Sequence, residues 1–101
     1  MTHTTVDDEH VNSGSHRTVF HTIDVSSLDN AGSEGYDPAA ETAVDVVLGV
    51  SVAGQEDESL FVRYDHVAGN LSVTSAADGT DTTAGTDVGE IILRVDGDPG
   101  A

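Results

Sequence analysis

LFVRYDHVAGNLSV (Leu60–Val73), an Asp-, Thr- and Gly-rich run to Gly85, and DVGEIILRVDG (Asp87–Gly97) decide how this chain folds. Leu60, Val62 and Tyr64 fall on one face of an alternating run, with Phe61, Arg63 and Asp65 on the other. Five residues follow, His66 to Asn70, ending in a Gly-Asn pair that tolerates positive φ. Alternation then resumes through Leu71 and Val73, so the segment reads as a β-hairpin. Val88–Val95 is the last strand. Ile91, Ile92, Leu93 and Val95 make it apolar on both faces, which requires a central position or cover from another sheet or subunit.

Upstream of the hairpin, Val44, Val46, Leu48, Val50 and Val52 keep a period of two and predict a strand over 44–53. Just before it, Asp37-Pro38-Ala39-Ala40-Glu41 carries a helix-start signal. Asp37 is a good N-cap, Pro38 fits the first turn, and the change of period limits the helix to about residues 38–43. Ser26–Tyr36 is rich in Gly, Ser and Asn and predicts a loop anchored by Leu28. Arg17–Val25 is the first predicted strand, with Val19, His21, Ile23 and Val25 on one face. A His on that face is expected to be a satisfied, partly buried group. Residues 1–16 are polar and predict an N-terminal arm or tail, and 98–101 a C-terminal tail. The expected fold is all-β: a single domain over 17–97, built as a small antiparallel β-sandwich or barrel of about six strands with one short helix and an extended N-terminal arm.

Charge is the strongest compositional feature. The chain of 101 residues has 19 acidic residues, three Arg and no Lys, for a formal net charge of −16. Such a charge on a small body opposes compaction in dilute buffer. At molar salt the Debye length falls to about 3 Å and the repulsion is screened, so this composition predicts a salt-rich setting. Binding to phosphates needs a basic patch, and three separated Arg do not form one. Nucleic acid and anionic membranes are therefore not expected partners. There is no Cys, hence no disulfide or thiolate site. The N-terminal sequence carries no basic or apolar segment of a secretory signal.

No residue set predicts catalysis, a cofactor or a metal centre. His3, His10, His16 and His21 match no ligand spacing, alone or with Asp7 and Asp8. Asp78, Asp81, Asp87 and Glu90 do not follow the spacing of a calcium loop. The run DTTAG (Asp81–Gly85) lacks the spacing and preceding strand of an aspartic-protease loop. Arg63 and Arg94 stand inside predicted strands among apolar neighbours, where a guanidinium is expected to fork onto a carboxylate within the fold or across an interface. With Tyr64, Ile91 and Leu93 they form the candidate interface set.

Tyr64-Asp65 followed by Gly69-Asn70-Leu71-Ser72-Val73 resembles the YD-x-x-x-x-K-L-x-V hairpin of small virion structural proteins of tailed viruses. Asp78-Gly79-Thr80 and Gly85-Thr86-Asp87-Val88 resemble the Gly-Thr-acid runs that follow in many of them. The likeness covers about residues 44–97, and Asn70 stands where Lys is common. It implies a non-enzymatic capsid decoration or head component. The partners implied are the major capsid protein or other virion proteins and further copies of the chain, in a virion assembled in a haloarchaeal cytoplasm. A turret or tail role in the same particle is a variant of this expectation. A free-standing halophilic module binding a glycan or a partner protein is the alternative.

Overall fold

In the computed structural model, residues 3–99 are described. They form seven strands and one helical turn: β1 (His3–Ser13), β2 (His16–Val25), β3 (Ser33–Gly35), α1 (Pro38–Glu41), β4 (Val46–Gln55), β5 (Leu60–Asp65), β6 (Asn70–Ser75) and β7 (Gly89–Asp98). One sheet has the order β1-β2-β7-β4 and the other β3-β6-β5, every pairing antiparallel. The all-β expectation holds. The hairpin that decided it lies where the alternation placed it, with Tyr64 opposite Leu71 and Asp65 opposite Asn70.

β7 is central, between β2 and β4. Its odd positions face inward beside those of β2: Val19 lies opposite Val95, His21 opposite Leu93 and Ile23 opposite Ile91. Of these, Ile23, Ile91 and Leu93 pack with Val62, Leu71 and Val73 of the second sheet, and with Leu28 and Tyr36, in the main core. A satellite cluster of Val19, Val44 and Val95 closes the far end. Ile91 and Leu93 are fully buried there, which corrects their place in the candidate interface set. The second sheet of the same chain covers them, and no neighbour is needed. The outer face of β7 holds Ile92, which is 38% exposed, and Arg94.

The N-terminal segment is the largest departure from expectation. Residues 3–13 are not a tail: they pair with β2 along its whole length, from His3 opposite Val25 to Ser13 opposite His16. The connection is the two-residue turn Gly14-Ser15, with Gly14 at φ 62°, the conformation a type II′ turn requires of its first central residue. The strand is polar because the second sheet does not reach over it, and residues 4–13 are exposed. The predicted C-terminal tail begins one residue late, since Asp98 still pairs with Val46. The end residues of both predicted tails, 1–2 and 100–101, lie outside the described residues. Ser26–Tyr36 contains the short β3, and Leu28 anchors the rest as expected, exchanging backbone hydrogen bonds with Thr86 and Gly85.

The helix signal is read correctly but the helix is a single turn. Ala40 N–H donates to Asp37 Oδ1 at 3.4 Å, and Asp37 N–H donates to Glu41 Oε2 at 3.1 Å. This reciprocal cap fixes Glu41 over the mouth of the sandwich.

Candidate functional site

The densest polar cluster lies where the start of β1 meets β3 and α1. His3 stands on the edge strand, its side chain only 3% exposed. Its Nδ1 donates to Glu34 Oε2 of β3 at 2.7 Å, and its Nε2 donates to Glu41 Oε1 of α1 at 2.5 Å. Glu34 is fully buried, and its other oxygen accepts the Asp29 backbone N–H at 3.0 Å. Tyr36 lies between this set and His21, with ring centroids 5.8 Å from His3 and 5.7 Å from His21. The Tyr36 hydroxyl is hydrogen-bonded to His21 Nδ1 at 2.6 Å, and the Thr5 hydroxyl to His21 Nε2 at 2.9 Å.

The two imidazoles are set to opposite charge states. Burial pulls His3 toward its neutral form, but the hydrogen bonds to Glu41 and Glu34 and the charges behind them outweigh it. Its pKa therefore stands above the ordinary 6.5. Burial dominates at His21, which has no carboxylate partner, and its pKa falls below 6.5 despite the charges of Asp8 and Glu41. Burial, with the charges of Glu41 and Asp8, raises the Tyr36 phenol and keeps it a hydrogen-bond donor. Chemically, the cluster is a clamp. Both nitrogens of His3 are committed to carboxylates, so neither is available to accept a proton from a substrate. What the arrangement does is tie the edge strand to the second sheet, where no backbone pairing joins β1 to β3.

Of this cluster the sequence reading expects His21 to be a satisfied core group, and it is one; His3 enters only among the histidines without ligand spacing. The sequence reading places His3 in the tail, Glu34 and Tyr36 in a loop, and Glu41 in the helix start capped by Asp37. They come from separate segments with no local spacing in common. The one available signal is Gly14-Ser15, which predicts a hairpin and brings His3 beside the end of β2; the register shift between Thr5 and Asp7 then sets it opposite Val25.

The remaining candidate residues are spread over the surface. Arg94 forks onto Asp96 of its own strand, at 3.0 Å from Nε and 3.5 Å from Nη2, with its guanidinium 6.0 Å above the Phe20 ring. Asp96 also accepts from the Thr18 hydroxyl, the main reason its carboxyl lies below the ordinary carboxylate range. Arg63 is exposed on β5 beside Asp65 and forms no ion pair within 4 Å among the described residues. Tyr64 lines a groove of about 530 Å³ with His66, Val47, Leu48, Gly49 and Val50, at the seam between β4 and β5. Glu56, Asp57, Glu58 and Asp87 line an open acidic groove at the other end of that seam. Asp78 and Asp87 are occupied in turns, accepting the backbone N–H groups of Thr80 and Gly89. Among the described residues no group of three or more His, Asp or Glu side chains could hold a metal ion.

Comparison with protein-family models, with curated proteins and with solved structures finds no match to this chain.

Proposed function

We propose that this protein is a structural assembly module: a capsid decoration or related head component on the outer shell of a haloarchaeal tailed virus. The observation that carries the reading is the placement of apolar side chains on an otherwise acidic surface. Val46 is 54% exposed, Leu48 73%, Phe61 54% and Val67 86% on β4, β5 and the β5–β6 turn, and Val6 and Val11 on β1 and Ile92 on β7 are exposed as well. Exposed large apolar groups on a highly charged body, the most exposed of them at Leu48 and Val67, suit contact with another protein. The resemblance of the Tyr64–Val73 hairpin to virion proteins supplies the kind of partner, the major capsid protein. A net charge of −16 suits the salt-facing outside of a shell better than an interior filled with DNA phosphates.

The test is mass spectrometry and immunogold labelling of purified virus particles from a host carrying the gene. The expected result is many copies per particle, labelled on intact shells. Absence from the particles overturns the reading. A free-standing module binding a sugar in the Tyr64–His66 groove then takes its place, detectable by glycan-array binding in molar salt.

A further inference from the structure

We infer that two copies of this chain associate through β4, edge to edge about a two-fold axis, with Leu48 of each copy seated in the groove between β4 and β5 of the other. This deepens the assembly reading above and rests on it.

The sandwich has four edge strands, β1 and β4 in one sheet and β3 and β5 in the other. An unpaired edge is a template for another strand, and charge is one of the commonest guards against it. β1 carries Asp7, Asp8 and Glu9 and β5 carries Arg63 and Asp65, while β3 is only three residues long, itself a guard. β4 reads VVLGVSVAGQ, ten residues without one charge, in a chain with 19 acids. Guarding has been applied to the other edges and omitted here.

Charge also selects the occupant. A cationic partner is drawn to the carboxylates that line the other grooves, such as Glu56, Asp57, Glu58 and Asp87. The β4–β5 groove has no carboxylate in its lining. Two copies of a polyanion approach at least cost where neither brings a charge, and β4 against β4 satisfies that condition on both sides. An isologous contact also requires one patch to hold both the knob and its socket. Leu48, 73% exposed, is the extra residue of a bulge between Val47 and Gly49 and sits on the rim of the groove that would receive its mate. A second register shift lies between Val52 and Gly54. The two bulges confine a new ladder to within Gly49–Val52, the segment in unbroken register with β7, and a two-fold axis at Ser51 sets each Ser51 opposite its mate and Val50 opposite Val52. The contact is therefore short and is completed by Leu48 more than by backbone.

Sedimentation equilibrium of the full chain in molar NaCl tests this. Wild type and Val11→Glu, which places the same charge on exposed β1, are expected to be dimers. Leu48→Glu should weaken the dimer by about tenfold or more, as loss of an interface anchor does. The chain has no Cys, so a single Ser51→Cys substitution gives a second readout that does not depend on how Leu48→Glu folds. Oxidation should give a covalent dimer from Ser51→Cys and none from Val11→Cys. A monomeric wild type, or a dimer indifferent to both β4 substitutions, overturns the inference. A monomer still found on particles sinks the dimer alone, and a dimer absent from particles sinks the assembly reading alone.

Discussion

His3 and His21 lie on neighbouring strands with Tyr36 beside both rings, yet their environments drive them apart. The difference is one of partners: two carboxylates meet His3, and a phenol and a hydroxyl meet His21. The consequences for stability have opposite signs. His3 holds its proton more tightly folded than unfolded, so its contribution is complete below pH 6.5 and is lost as pH rises through its raised folded pKa. His21 holds its proton less tightly folded, so its contribution is complete above 6.5 and is lost as pH falls toward its lowered folded pKa. The groups facing the pair from other elements are Glu34, Glu41, Tyr36 and Asp8, and only the two glutamates are bonded to His3. Thermal unfolding in molar NaCl should therefore show an alkaline fall in melting temperature, and His3→Gln should remove that limb while lowering stability at pH 6. Persistence of the same alkaline fall in His3→Gln would show that the clamp does not cause it.

At the scale of elements, the acids do more than repel one another. Asp57, Asp65 and Asp78 each sit in a turn and accept backbone N–H groups two or three residues on. Hydrogen bonds hold their carboxyls below the ordinary range: the Ser59 hydroxyl and then its N–H on Asp57, the Ala68 N–H on Asp65 and the Thr80 N–H on Asp78. Acidic composition and turn chemistry are thus partly the same residues. Close packing is most demanding where β4 starts. A Cβ on Gly97 would lie 2.0 Å from the Val46 carbonyl oxygen and 2.6 Å from Val44 Cγ1. Gly97→Ala must push β4 off β7, and we expect a loss of about 3 kcal/mol in denaturant unfolding at molar salt. Gly49→Ala on the same sheet, where a Cβ meets nothing within 4 Å, is the control. Equal stability of the two variants would contradict the packing described.

Legibility in the sequence followed burial. β2, β5, β6 and β7 bury one face, so their alternation was readable, and the double-sided apolar run of β7 placed it centrally. β1 buries neither face along most of its length and left no hydrophobic period to find. β3, at three residues, is too short to show one. The clamp was illegible for a related reason. Its members are brought together by two turns and a strand pairing, and polar residues in the predicted tail and loop gave no sign of burial.

For the whole molecule, the governing quantity is net charge against core size. The main core is built largely from Val, Leu and Ile, with Tyr36 its largest fully buried side chain. Three Arg and five His offset few of the acids. At about 0.1 M salt, repulsion is felt over about 10 Å, a large part of the 22 Å short dimension of the domain. Transfer from about 1 M to about 0.1 M NaCl should abolish the strand signal in far-ultraviolet circular dichroism, and returning the salt should restore it. An unchanged spectrum would mean that the core outweighs the charge without screening.

The central place of β7 also sets when the protein can fold. Its neighbour β2 lies near the beginning of the chain, and Val25 pairs with Gly89 and Arg17 with Gly97. On the ribosome, β4 must wait for the last strand to emerge and β2 has only β1 beside it, while the β1–β2 and β5–β6 hairpins, whose pairing is local, close first. Closing such distant pairs makes the rate-limiting step late and slow. Throughout that wait the uncharged Val46–Gln55 segment has no partner in its own chain, which makes the interval between synthesis and completion the period of greatest aggregation risk.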